Sequence, residues 1–339
     1  RKKLNFLHFT VFIWGIFVII VFTVNNALLN QFWAFFWLAR WADLIVYMSI
    51  IFLAYLYFET LNKVTKDVYN LSKLVSSAAI ENTFNNLSIN ELIIKRKNKD
   101  PKDAFTFLMR SYNEEAAIWQ VIDEIFEAWY SKIVILDDWS TDNTDLIVKT
   151  KKSEFLDKVI VYIKHSINRW WWSANKTLFE FTKKYWKYLD SSWFVTFDAD
   201  GQMKVQDLNY FLSLENKESQ VYLWSRFMPW ASAQGIPFLR RIILFWARFI
   251  TLILNWMFIS DPHNGFRILS FDAIQKIKIY SDNMTYASEI LDWIRVNKIK
   301  YEEFPTNIRY TKYSLSKWQK NSNAIRILLE IIYKKLFFR

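Results

Sequence analysis

Hydrophobic and polar positions fall into three textures along the chain. An apolar run from Leu4 to about Val24 follows the basic Arg1-Lys2-Lys3, and a second extends from Ala42 to Phe58. The first has about the 20 residues that a helix needs to cross a bilayer, and the second is nearer the lower limit. No small-residue cleavage site follows the first run, so a membrane hairpin over residues 1–61 is expected rather than a signal peptide. The basic flanks, Arg1 to Lys3 on one side and Lys63 with Lys66 on the other, predict that both ends face the cytoplasm. In the second texture, Val64, Val68, Leu71, Leu74 and Val75 recur at helical spacing between Asn62 and about Asn86. That pattern predicts an amphipathic helix along or just below the membrane, followed by a charged linker to Lys102.

The third texture alternates short apolar runs with helical periodicity. Strands are predicted over 104–109, 132–136, 159–163 and 193–197, with helices over 116–128, 144–152 and 173–185. Such alternation predicts an α/β fold around a mostly parallel sheet covered on both faces. In such sheets ligands bind beyond the carboxyl ends of the strands. Three acidic clusters fall at those ends: Ser111-Tyr112-Asn113-Glu114-Glu115, Asp137-Asp138-Trp139-Ser140-Thr141-Asp142-Asn143-Thr144, and Asp198-Ala199-Asp200-Gly201-Gln202. In the first, Asn113 can cap the next helix with Glu114 and Glu115 in its first turn, a purely structural role. In the second, a carboxylate can accept hydrogen bonds from a base or ribose, against a bland reading as a turn and helix cap. In the third, two carboxylates one residue apart can share Mg²⁺ or a similar ion beside phosphate oxygens.

Composition changes this picture in two ways. The net charge of +11 favours anionic partners, but the basic residues concentrate near apolar stretches and form no nucleic-acid recognition motif. With no cysteine, disulfides and thiolate metal sites are excluded, and with three histidines a histidine-rich metal site is not expected. The chain also has 18 Trp and only 4 Gly, where ordinary usage of about 7% would give roughly 24 glycines. Many Trp stand where a backbone needs no Cβ, after Asp137-Asp138 and in Trp170-Trp171-Trp172. We expect most of them to be UGA codons read as glycine in the source organism.

The three acidic clusters together resemble the catalytic domain of glycosyltransferase family 2, most closely its dolichol-phosphate mannosyltransferase-like and bacterial polyprenyl-phosphate branch. The resemblance covers roughly Phe105 to Leu328. It extends to Trp224-Ser225-Arg226 (Gly-Ser-Arg in the family), Arg240-Arg241, the run Asp261 to Arg267, and Glu289. Arg110 departs from it, standing where the family usually has proline, and so do Trp139 and Trp170 to Trp172, where the family has glycine.

The resemblance implies a GT-A type nucleotide-diphospho-sugar transferase fold over residues 103–323, with interfacial helices over about 237–259. The tail over 324–339 mixes Ile and Leu with Arg326, Lys334 and Lys335 and reads as an amphipathic segment on the membrane or a packed core helix. It implies that Tyr112, Glu114 and Asp137 or Asp138 hold the nucleoside, and that Asp198, Asp200 and Gln202 organise Mg²⁺ or Mn²⁺. Arg226 and Arg267 are its catalytic arginines, with Arg240, Arg241, Asp261 and Glu289 as phosphate or acceptor candidates. The implied reaction is inverting transfer of a hexose from a UDP- or GDP-sugar to a polyprenyl phosphate at the cytoplasmic face of the plasma membrane. A lipid-linked saccharide hydroxyl as acceptor, an inactive membrane scaffold if the Trp are genuine, and a homo-oligomer all stay open at this stage. Nucleic acid is not an expected partner. Matching residues to codons checks the glycine expectation: UGA is expected at positions 139 and 170 to 172, and UGG there would overturn it.

Overall fold

A computed structural model describes residues 41–87, 100–169, 173–229, 231, 248–249, 252, 257–262, 264–280 and 286–308. The first arm of the expected hairpin, most of the interfacial stretch with Arg240 and Arg241, Trp170 to Trp172, and the tail lie outside the described residues. The chain divides into two compact units, Arg1–Val68 and Tyr69–Arg339.

In the first unit, helix α1 (Trp41–Asn86) begins with a fully exposed apolar stretch. Among the described residues it is the one helix long and apolar enough to cross a membrane. Its Ile, Leu, Phe and Tyr side chains face outward all round, as lipid contact requires. The sequence suggested a break near residue 60 between a span and a separate amphipathic helix. The helix instead runs through, because no Gly or Pro interrupts Glu59-Thr60-Leu61-Asn62. Thr60 and Thr65 donate to the carbonyls of Leu56 and Leu61, each at 2.8 Å, and so stay inside the helical pattern.

The part of α1 inside the second unit buries a face that mixes polar and apolar residues. Leu71 and Leu74 are exposed, while Ser72, Val75, Ser76, Ala79 and Ile80 are buried at one-turn spacing. Phe84 stacks on Tyr185 with ring centroids 4.1 Å apart and secures the end of that face.

After a 3-10 turn at Pro101–Ala104 the second unit alternates strand and helix. Its elements are β1 (Phe105–Ser111), α2 (Ile118–Glu127), β2 (Lys132–Asp137), α3 (Thr144–Glu154), β3 (Val159–Lys164), α4 (Ser173–Leu189) and β4 (Trp193–Asp198). Then come α5 (Asn209–Leu212), β5 (Val221–Ser225), β6 (Arg267–Ser270), α6 (Phe271–Lys276), α7 (Tyr286–Val296) and β7 (Tyr301–Pro305). The seven strands form one sheet in the order β3-β2-β1-β4-β6-β5-β7. Strands β1 to β4 are parallel, and β6 alone runs antiparallel to both its neighbours.

Strands β1 and β2 are buried over their whole length, which explains their continuous apolar runs. Successive residues feed two separate cores. Leu108, Val134, Leu136 and Phe194 pack towards α4, α7 and the end of α1. Phe107, Met109, Ile133, Ile135, Val195 and Phe197 pack towards α2, with Phe211, Tyr222, Trp224 and Phe266.

Helix α2 ends in a Schellman arrangement: Tyr130 N–H bonds the carbonyl of Ile125 and Trp129 N–H that of Phe126. Trp129 is therefore in the left-handed region, at φ 69°, with its side chain 73% exposed. Glycine normally fills this position because a Cβ there is crowded. Little packing is lost when the indole goes, and left-handed backbone costs a non-glycine residue about 1–2 kcal/mol. The Trp129→Gly variant should therefore melt about 2–4 °C higher in thermal denaturation, the shift expected per kcal/mol for a domain of this size.

Candidate active site

The carboxyl ends of β1, β2 and β4 lie side by side, since Arg110 pairs with both Leu136 and Asp198 across the ladder. This register brings the three acidic clusters to one edge of the sheet. The loop after β1 does not cap α2, however. Asn113, at φ 52°, sends its side-chain oxygen to Thr141 N–H (2.8 Å) and its own N–H to Ser140 Oγ (2.9 Å). Glu114 N–H donates to Thr144 Oγ1 and Glu115 accepts from Asn143, so the first two clusters are laced together. Helix α2 starts at Ile118 with Ala117 before it and no side-chain cap.

The two adjacent aspartates after β2 do different work. Asp137, wholly buried, accepts from Ser140 N–H (2.9 Å), Ser140 Oγ (2.5 Å) and Tyr162 OH (2.6 Å). Those donors stiffen the turn, and burial beside Asp137 pushes the Tyr162 hydroxyl well above its ordinary range. Asp138 is equally buried, but its partners converge on Oδ1: His165 Nδ1 at 2.7 Å and Arg169 N–H at 3.2 Å. Its Oδ2 has no hydrogen-bond partner among the described residues. Between them, Asp138 is the aspartate with an oxygen to offer a ligand. Trp139, which follows, is at φ 68° with its side chain 44% exposed, again a glycine conformation.

At the end of β4, Asp198 and Asp200 keep a solvent-facing edge. Asp198 is gripped from below by Arg110: Nη2 meets Oδ2 at 2.8 Å and Nε bonds Oδ1. Arg110 also reaches Tyr286 OH at 3.3 Å. Gly265 lies against this pair: a Cβ there would stand 3.5 Å from both Arg110 Nη2 and Asp198 Oδ2, in ordinary contact. Asp200 Oδ1 accepts from Gln202 N–H at 3.0 Å. Burial, then the charges of Asp198 and Glu114, push the Asp200 carboxyl up to about 7, against the opposing pull of Gln202 N–H and Arg110. The cluster thus carries more negative charge than Arg110 neutralises.

The remaining predicted residues lie along the same edge and beyond it. Tyr112 is half-buried in the loop after β1. Arg226, just past β5, pairs with Asp261 through Nε–Oδ2 (2.6 Å) and Nη2–Oδ1 (2.8 Å). Arg267 opens β6 opposite Thr196 and Leu223, its Nε and Nη2 on the carbonyls of Asn264 and Pro262, each at 3.2 Å. Its Nη1 is buried without a hydrogen-bond partner among the described residues, and burial lowers its pKa. Glu289 sits in the first turn of α7 and accepts from Tyr280 N–H at 2.8 Å. Two contributors were not singled out from the sequence as site residues: His165, shortly after β3, and Arg110, an arginine inside an otherwise apolar strand.

A family model described as glycosyl transferase family 2 matches residues 106–277, half of the chain. The chain belongs to glycosyltransferase family 2. An uncharacterised protein of Methanocaldococcus jannaschii is 27% identical over 72% of this chain and 99% of its own length. UDP-N-acetylglucosamine–dolichyl-phosphate N-acetylglucosaminyltransferase of Methanococcus voltae is 26% identical over 68% of this chain and 94% of its own. Among solved structures, glucosyl-3-phosphoglycerate synthase of Mycobacterium tuberculosis, in complex with Mn²⁺, uridine diphosphate and phosphoglyceric acid, shares the fold. Its TM-score is 0.50 at 14% identity, covering 74% of this chain and 82% of that one. This family 2 chain is thus a glycosyltransferase with the GT-A arrangement of strands, and its acidic strand ends form the candidate donor site.

The upward shift at Asp200 has a consequence for stability. A carboxyl at about 7 in the folded chain and about 3.9 when unfolded holds its proton more tightly in the native state. Its contribution is fully present below the unfolded value and is lost as pH rises towards 7. In EDTA the Asp200→Asn variant should therefore melt higher than the parent at pH 8, with the difference shrinking as pH falls to 4.

Proposed function

We propose that this glycosyltransferase moves a hexose from a UDP- or GDP-linked donor to a polyprenyl phosphate at the cytoplasmic face of the plasma membrane, with inversion and with a divalent cation. The observation that carries the reading is the pairing of two charge types on one sheet edge. Unneutralised carboxylates stand at the end of β4, and the partly unsatisfied Arg267 enters β6 directly beside them. A carboxylate cluster suits a metal-bound donor diphosphate, and a buried guanidinium suits a second phosphate. The apolar span in α1 supports a lipid setting, as does the 26% identical relative whose name specifies dolichyl phosphate.

The cation fits the residues present. Burial first, and then the charges of Asp198 and Glu114, raise Asp200, and a bound cation would offset the part due to those charges. Among the described residues no three His, Cys, Asp or Glu side chains converge as a metal cage. Hard oxygen donors, few in number, suit Mg²⁺ or Mn²⁺ completed by phosphate oxygens and water. Asp200 and Asp198, with Gln202, would hold the ion, whose chemistry is to neutralise the departing diphosphate.

The chain's own groups then have to bind and align. Asp138 and Tyr112 hold the nucleoside, while Glu114 backs the acidic cluster. Arg267, with Arg226 on Asp261 beside it, receives the acceptor phosphate; Arg240 and Arg241 are further candidates from outside the described residues. A phosphomonoester with a second pKa of about 6 is already mostly dianionic at neutral pH. Its oxygen attacks the anomeric carbon as the bond to the nucleoside diphosphate breaks, so a general base is not required. Rate then comes from in-line placement and charge stabilisation.

The test uses membranes containing the full chain with glycine at 139 and 170 to 172, supplied with polyprenyl phosphate, Mg²⁺ and labelled nucleotide-sugars. Label is expected in the organic-solvent extract with one donor and should vanish in Asp200→Ala. Folded protein that labels no lipid from any donor would overturn the reading in favour of a saccharide-hydroxyl acceptor, with Glu289 as base, or an inactive scaffold. An Arg267→Gln variant should lose at least about tenfold in kcat/KM, the factor that about 1.4 kcal/mol of a charged hydrogen bond supplies. Its Kd for the nucleoside diphosphate should be unchanged.

A further inference from the structure

Asp138 is the end of a buried chain of polar side chains that begins on α1. Arg169 Nη1 donates to Ser76 Oγ at 2.9 Å. Ser76 Oγ and Thr177 Oγ1 are 2.7 Å apart, and Thr177 Oγ1 and His165 Nε2 are 2.9 Å apart. His165 Nδ1 meets Asp138 Oδ1 at 2.7 Å. The side chains of Asp138 and His165 have no solvent exposure, and Ser76 and Thr177 are buried as completely. Ser72, one turn before Ser76, accepts from Lys176 Nζ at 3.0 Å and from Arg169 Nη2.

The polarity of this chain follows from its two ends. A guanidinium only donates and a carboxylate only accepts. With a neutral imidazole, donation runs from Arg169 to Ser76, to Thr177, to His165 Nε2, and from His165 Nδ1–H to Asp138, which accepts. His165 then carries its proton on Nδ1. The chain therefore fixes one oxygen of Asp138 and leaves the other, Oδ2, buried with no donor among the described residues. A bare buried acceptor costs about 1–3 kcal/mol, and native proteins keep one where something else fills it. The missing partner has to be a donor. The ring N–H of uracil or guanine is such a group; adenine and cytosine have none at the equivalent ring nitrogen.

We propose that His165 is a positioning residue for the nucleoside-binding carboxylate Asp138, held in one tautomer through Thr177 by Ser76 of α1. Without it, only the longer bond from Arg169 N–H, at 3.2 Å, holds the broad terminal torsion of Asp138 against turning Oδ2 away from the base. The inference rests on the donor reading above and adds three residues, two from α4 and the β3 loop and one from α1, that touch no substrate.

The experiment measures calorimetric Kd values for uridine and guanosine diphosphate, for their ring-N-methylated counterparts, and for inorganic pyrophosphate, all with Mg²⁺. It uses the full chain with glycine at 139 and 170 to 172, and its His165→Phe, His165→Asn and Ser76→Ala variants. His165→Phe should weaken the better nucleotide about tenfold or more and leave pyrophosphate unchanged. His165→Asn, which can place an N–H where Nδ1–H was, should recover most of that loss, and Ser76→Ala should fall between. The methylated base should bind the parent and His165→Phe alike. With only three histidines in the chain, ¹⁵N spectra of the parent should show one Nδ1–H tautomer that Ser76→Ala perturbs. Unchanged nucleotide affinity in His165→Phe would overturn the proposal. So would equal loss of nucleotide and pyrophosphate with Asn no better than Phe, which would make His165 a packing residue. A folded parent that binds pyrophosphate but neither nucleotide would overturn the donor reading and this inference with it.

Discussion

A carboxylate taken out of water has to be given hydrogen-bond donors or a positive charge, or it does not stay ionised. Two parallel strands, β2 and β4, end on such groups here, and the site is the set of different answers the chain supplies. Asp137 is satisfied by its own turn and by Tyr162. Asp198 is satisfied by a guanidinium from the adjacent strand. Asp138 is satisfied on one oxygen, and Asp200 is left with excess negative charge around it. The last two are where a ligand gains most by arriving, because it completes what the fold leaves incomplete.

Much of this was legible before any coordinates. Apolar runs of five to seven residues separated by helical periodicity locate β1 to β4 to within a residue or two at each end, because buried parallel strands have no polar face to confuse the pattern. The acidic strand ends were equally plain. What the pattern could not distinguish was Asp137 from Asp138, since the difference lies in Tyr162 and His165 on a neighbouring strand and its loop. Strands β5, β6 and β7 escaped as well, each only four or five residues long, and β6 also runs against its neighbours.

Helix α1 hides its polar side from the pattern. Apolar spacing at Val64, Val68, Leu71, Leu74 and Val75 suggests an amphipathic helix along the membrane, and beside the buried Val75 the structure also buries Ser72 and Ser76. A polar residue on a helix is read as solvated unless its partners are known, and the partners of Ser72 and Ser76 are Arg169, Lys176 and Thr177, about a hundred residues away. The tryptophans divide: Trp224 is a buried core side chain stacked on Phe266, whereas two others stand in a backbone conformation that glycine favours. Trp129 and Trp139 both occupy left-handed conformations, one at a helix end and one directly after the acidic pair.

The antiparallel setting of β6 has a topological consequence. Because β5 runs parallel to β4's direction and β6 runs back, residues 226–266 both leave the sheet and rejoin it on the acidic edge. Arg226 and Asp261 tie the two feet of this excursion together. Its length is therefore free to change without shifting strand register or disturbing Asp198 and Asp200. A scaffold built this way can vary one span of chain while the carboxylates at the end of β4 keep their place.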